Sequence, residues 1–171
     1  MATEVGEFVF GIDVDTIENA VLMALRKDGE TLATAESCTG GLVAKRLTDV
    51  AGASDVFLGG AITYANEAKV KMLGVSEDTL KEFGAVSEPV AAQMAEGIRN
   101  ALGADYGIST TGIAGPGGGS DEKPVGTVYV GVASKNGTKV KKLSLSPMRD
   151  REYIRTVAST GALSMILEEK K

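Results

Sequence analysis

The chain has no histidine and no tryptophan among its 171 residues, and a single cysteine, Cys38. Without imidazole there is no Ser-His-Asp or Cys-His catalysis and no His-ligated zinc. With one thiol there is no internal disulfide and no thiolate zinc cage, so no metal or cofactor is expected. Acid/base work near neutral pH then falls to a Lys, Tyr, Asp or Glu whose pKa its surroundings have moved. Positive charge is also scarce: 18 Lys and Arg stand against 23 Asp and Glu, a formal net charge of -5. That removes the field by which Lys and Arg gather a polyanion, and nucleic acid is not expected as a partner. A small anion stays open, because the N–H groups of one helix start can hold a phosphate whatever the net charge. No apolar run approaches the roughly 18–20 residues needed to cross a bilayer. Glu4, Glu7, Asp13 and Asp15 occupy the region where a secretory signal would place basic and then apolar residues. A cytoplasmic protein without a membrane partner is the expectation.

What is present suffices for a core. Apolar residues make up 43% of a chain whose length suits one domain, since compact domains commonly hold about 100–200 residues. Residues 14–28 put Ile17, Val21, Ala24 and Leu25 on one helical face, with Asp13 or Asp15 as cap and Gly29 as stop. Residues 31–36 read as a strand that passes into a helix at Ser37-Cys38-Thr39. A second strand, 57–64, passes into a short helix, 67–73, with Asn66 in the capping position. Ser76 and Ser87 cap two further helices, the second with Pro89 in its first turn and Gly103 at its end. A strand at 105–111 is followed by a glycine-rich loop at 112–124, and strands 125–134 and 138–145 are joined through Asn136-Gly137, a hairpin signal. An amphipathic helix at 150–169 closes the chain. Helices interleaved with strands predict a three-layer α/β/α domain, and the hairpin makes its sheet mixed.

Three places carry chemistry-bearing residues. Ala35-Glu36-Ser37-Cys38-Thr39-Gly40-Gly41 sits where a strand's carboxyl end meets a helix start, the edge at which α/β sheets gather ligands. The N–H groups of Thr39, Gly40 and Gly41 there suit a developing oxyanion, yet Ser37 or Thr39 reads equally as a plain helix cap. Cys38 competes as nucleophile but reads better as a small buried side chain. In Tyr64-Ala65-Asn66-Glu67-Ala68-Lys69, a cap at Asn66 makes Lys69 the third helical residue, where the positive end of the helix dipole disfavours an ammonium by roughly 0.3–1 kcal/mol. Partial desolvation adds to that, bringing the amine towards a neutral form able to take a serine proton. Tyr64 is placed to orient either group. A solvated surface lysine and a packed tyrosine are the alternative reading. The third place, Ser109 to Gly119, presents successive N–H groups after a strand but lacks the Lys-Ser/Thr of a Walker loop and the helix of a Rossmann fingerprint.

Taken together, those segments with Gly84-Ala85-Val86-Ser87-Glu88-Pro89-Val90 and Lys123-Pro124-Val125-Gly126-Thr127-Val128 resemble the CinA C-terminal domain family, in order and over about residues 15–165. Members of that family include the nicotinamide mononucleotide deamidases, which hydrolyse the carboxamide of that nucleotide to nicotinate mononucleotide and ammonia. The resemblance implies that Ser37 is the nucleophile, Lys69 the base that activates it, and Tyr64 the tyrosine beside them. It implies substrate contacts from Thr39, Gly40, Gly41, Asn66, Thr111, Gly112 and Gly115. Where many members carry Phe-x-Gly-Asp-Arg, this chain reads Ser146-Pro147-Met148-Arg149-Asp150-Arg151, which keeps the Asp and Arg and makes Arg151 the counterpart of the family arginine. The expected partners are a small pyridine nucleotide and further copies of the chain. The alternative is a non-catalytic nucleotide-binding or interaction module. Longer members carry an N-terminal domain that these 171 residues do not include, so activities residing there are not expected.

Overall fold

A computed structural model describes residues 16–171. The chain runs α1 (Ile17–Asp28), β1 (Leu32–Glu36), α2 (Leu42–Thr48), a 3₁₀ turn (Ala53–Asp55), β2 (Phe57–Ile62), α3 (Asn66–Leu73), α4 (Glu77–Phe83), α5 (Glu88–Leu102), β3 (Tyr106–Gly112), β4 (Thr127–Ser134), β5 (Gly137–Ser144) and α6 (Arg151–Glu169). The strands form one sheet in the order β2-β1-β3-β4-β5. The first three are parallel, while β4 and β5 run antiparallel to their neighbours. The fold is therefore a mixed α/β sheet with a C-terminal hairpin, as the order of elements predicted.

Side chains alternate across a strand, so each buried strand supplies two faces. Leu32 of β1, with Tyr106 and Ile108 of β3 and Val128, Val130 and Val132 of β4, packs against α1, α2 and α6. Ala33 and Ala35, on the opposite face of β1, pack with Leu73 of α3 and with Val90, Met94 and Ile98 of α5. Those two layers of helix enclose the sheet. All five residues of β1 are buried, which fits a central strand covered on both sides. Small residues set the spacing on the second face. A Cβ on Gly97 of α5 would lie 2.0 Å from the carbonyl oxygen of Leu73, so only glycine lets the end of α3 approach this closely. Gly97→Ala is expected to push α3 away and lower stability by about 1–3 kcal/mol, read from urea unfolding.

Several boundaries differ from the sequence reading. Asp13 and Asp15 lie outside the described residues, and α1 is capped by Thr16, whose hydroxyl accepts from Asn19 N. Asn66 is not the cap of α3: Ala65 takes the N-cap position without a side-chain bond, and Lys69 becomes the fourth helical residue. β2 stops at Ile62, which frees Thr63 and Tyr64 to turn over the sheet edge. The hairpin turn is centred on Lys135-Asn136, one residue earlier than Asn136-Gly137, with Gly137 already paired to Ser134. The reason is local: the Ser134 hydroxyl accepts from Asn136 N at 3.1 Å and closes the turn early. Among the described residues no helix is long and apolar enough to cross a membrane.

Candidate active site

Alternation along β1 puts Leu32, Thr34 and Glu36 on the α2 side and Ala33 and Ala35 on the α3 side, so the next residue, Ser37, emerges towards α3. There it meets Lys69. The Lys69 amine lies 3.1 Å from Ser37 Oγ, 2.7 Å from the carbonyl oxygen of Thr63 and 3.4 Å from that of Tyr64. Lys69 is 1% exposed, which excludes the solvated surface lysine. Burial pushes its pKa below the usual 10.5. The three acceptors give the amine a definite orientation. As an ammonium it donates to all of them. As a neutral amine it has two hydrogens for the two carbonyls and one lone pair left, facing the Ser37 hydroxyl.

The turn after Ser37 is built on Glu36. This buried carboxylate accepts from Gly41 N at 2.9 Å, Val43 N at 3.0 Å and Ala44 N at 2.8 Å, and from the Thr39 hydroxyl at 2.6 Å. It thus fills the positive N-terminus of α2 from inside the fold. Neither Ser37 nor Thr39 caps that helix, whose N-cap is Gly41 with φ 94. Thr39 is fully buried, its hydroxyl shared between Glu36 and Thr110. Gly40 N donates to Ser37 O at 3.1 Å. Of the three N–H groups expected to face an oxyanion, those of Gly40 and Gly41 are therefore taken. The N–H groups of Cys38 and Thr39 are tied to no backbone carbonyl among the described residues. Cys38 is 5% exposed, and burial pushes its thiol up to about 11, so at neutral pH it stays protonated.

Ser37, Cys38, Tyr64, Lys69, Thr111, Gly112 and Arg151 line one cleft of about 220 Å³, with Ala85, Val86 and Ala114 as its apolar wall. Tyr64 is 62% exposed and its phenol does not touch Ser37 or Lys69; it accepts from Arg151 Nη2 at 2.9 Å. Arg151 Nη1 donates to Gly115 O at 2.8 Å, which brings Gly115 to the rim. Thr111 donates its hydroxyl hydrogen to Ala85 O at 2.7 Å. Asn66 is elsewhere: with Glu67, Val70 and Leu80 it borders a separate hollow of about 410 Å³ between α3 and α4. A larger hollow, about 560 Å³ around Arg46 and Asp49, also lacks both Ser37 and Lys69. Size does not select the site here; convergence of a hydroxyl, a buried amine and an arginine does. Sequence reading gave Glu36 no role, although its parity with Leu32 places it under α2. It also passed over Arg155, whose i, i+4 spacing from Arg151 on α6 was the available signal.

A sequence model described as the CinA C-terminal domain matches residues 14–170. A putative competence-damage inducible protein from Caldanaerobacter subterraneus is 56% identical over 161 residues, which is 94% of this chain and 39% of that protein. A CinA-like protein from Kosmotoga olearia is 52% identical over 163 residues, 95% of this chain and 39% of its own length. The chain thus spans about two-fifths of the length of these curated relatives. Among solved structures, the competence/damage inducible protein CihA from Agrobacterium tumefaciens superposes with a TM-score of 0.89 at 40% identity, covering 95% of this chain and 99% of that one. A CinA superfamily protein from Klebsiella pneumoniae gives 0.85 at 34% identity, covering 90% and 95%.

Proposed function

The chain belongs to the CinA C-terminal domain family, and from that premise we propose that it is a hydrolase that cleaves the carboxamide of nicotinamide mononucleotide by a Ser37/Lys69 mechanism. One observation carries the reading: a buried amine with a depressed pKa and a lone pair steered at Ser37 Oγ by two backbone carbonyls. Neutral Lys69 takes the Ser37 proton as Oγ attacks the carboxamide carbon. The oxyanion that forms is received by the N–H groups of Cys38 and Thr39, which no backbone carbonyl of the turn takes. The carbon–nitrogen bond then breaks, and the Lys69 ammonium hands its proton to the departing nitrogen, which leaves as ammonia. In the second half Lys69 takes a proton from water, hydroxide adds to the Ser37 ester, and the proton returns to Ser37 Oγ as nicotinate mononucleotide leaves.

A cleft of 220 Å³ is smaller than the roughly 300–1,000 Å³ of pockets that enclose whole drug-sized ligands. It suits the pyridine ring and its carboxamide, with ribose and phosphate lying towards Arg151 at the mouth. No step calls on a metal ion or a nucleoside triphosphate. The test is ammonia release from nicotinamide mononucleotide in chelator-treated buffer without ATP. The rate is expected to climb with pH along a limb whose midpoint lies below 10.5, because only the deprotonated amine accepts the serine proton and burial moves that deprotonation down. A thermal shift with the nucleotide and no ammonia would replace this reading with the non-catalytic binding module.

A further inference from the structure

The turn that presents Ser37 is held from two sides, and only one of them is the Glu36 carboxylate. On the other, Arg155 of α6 donates from Nη2 to the carbonyl oxygen of Thr39 at 2.6 Å. The same peptide unit, at its other end, carries the Gly40 N–H that donates to Ser37 O at 3.1 Å. Both ends of one peptide plane are therefore tied. Gly40 and Gly41 follow with φ of 58 and 94, the left-handed region that glycine enters without steric cost. A peptide beside two such glycines has little intrinsic resistance to flipping. A flip would turn the Thr39 carbonyl towards Ser37 O, lose the bond from Gly40, and swing the neighbouring N–H groups out of place.

We propose that Arg155 is a positioning residue, locking the Thr39-Gly40 peptide so that Ser37 and the N–H groups of Cys38 and Thr39 stay aligned. The inference rests on the reading of Ser37 as nucleophile. Arg155 is well mounted for this task, since its neighbours Ile154 and Ala158 on α6 are fully buried against the sheet. Its guanidinium lies over the turn, with Nη2 3.6 Å from where a Cβ on Gly40 would stand. It does not line the cleft, which Arg151 one turn earlier does. A side chain that touches the turn and not the cavity acts on the substrate only through the turn.

The variants are Arg155→Ala, Arg155→Lys and Arg155→Gln, each read in three ways. Sulfonylation of Ser37 by phenylmethanesulfonyl fluoride, followed by mass spectrometry, reports the nucleophile without the nucleotide. Ammonia release gives kcat and KM separately, and amide hydrogen exchange over residues 37–42 reports the Gly40 bond. For Arg155→Ala, sulfonylation and kcat are expected to fall about 10- to 100-fold, the cost of a displacement near 1 Å, with KM within about twofold. Exchange at Gly40 should quicken, and millimolar guanidinium should restore part of the rate. Lysine, lacking the planar fork, should rescue poorly. A raised KM with unchanged kcat would make Arg155 a substrate ligand and overturn the proposal, as would unchanged rates and unchanged exchange. If Arg155→Ala does not fold, Arg155→Gln, which keeps a donor on a shorter stem, decides by the same readouts. Wild type that resists sulfonylation at Ser37 would sink the nucleophile reading itself, and the exchange measurement would still decide whether Arg155 holds the turn.

Discussion

Lys69→Ala is expected to lower ammonia release by roughly three to six orders of magnitude, and Ser37→Ala by a similar factor, with the double variant no slower than the worse single one. Non-additivity is the informative part. If the amine acts only by taking the Ser37 proton, it has nothing to do once the hydroxyl is gone. The measurement is kcat/KM for all four proteins, with mass spectrometry for an acyl-enzyme that should form in wild type and be missing from both single variants. Near wild-type turnover by Ser37→Ala would remove the mechanism altogether. Lys69→Met serves as the control for folding. Burial lowers the folded pKa of Lys69 below its unfolded value, so between the two values the unfolded chain binds more protons. The destabilisation this causes is fully present below the folded pKa and fades as pH rises towards 10.5. Wild type should accordingly gain stability relative to Lys69→Met as pH is raised through that window, in urea unfolding at fixed ionic strength.

The second large effect belongs to stability. Glu36→Ala removes the acceptor of three backbone N–H groups and one hydroxyl in the interior. Each buried donor left without a partner costs about 1–3 kcal/mol before any water enters, and a loss near 3–5 kcal/mol in all is expected. Glu36→Gln keeps one carbonyl acceptor but aims an NH₂ group at helix N–H groups, so it should fall between wild type and alanine. Urea midpoints give the order. Because the turn over residues 37–41 stands on this carboxylate, both variants should also lose activity at temperatures where they remain folded.

Much of the fold is legible in the sequence alone. The strand-to-helix handovers at Ser37 and ahead of Lys69 place two sequence segments at the ends of neighbouring strands, while the lack of histidine limits any base near neutral pH to a few residue types. Hydrophobic spacing gave the helices and the hairpin gave the mixed sheet. What escaped was side-chain direction at short range. Ser37 and Thr39 fit the helix-cap pattern by residue type, but the donors they would have served were already satisfied by Glu36, whose reach across a turn no local rule describes. Asn66 failed as a cap because the chain enters α3 at Ala65, in extended backbone, where no side-chain oxygen is available. Tyr64 was expected to act through its phenol on Ser37 or Lys69, whereas its backbone oxygen is the atom near the amine and its phenol belongs to Arg151. Such assignments depend on which way a peptide plane faces, and sequence spacing does not encode that.

The sheet changes from parallel to antiparallel at β3, and this gives the molecule two unlike poles. Ser37, Tyr64 and Thr111 all sit at or just beyond the carboxyl ends of β1, β2 and β3. The hairpin tip, where Ser134 pairs with Gly137, lies beside the amino end of β3, the far side of the sheet. There the Ser134 hydroxyl donates to Glu169 of α6 and Lys139 pairs with the same carboxylate. The candidate site and this fastening thus lie at opposite ends of the strands. A lineage can redraw the loops at the first pole to suit a new ligand while the bolts at the second stay untouched.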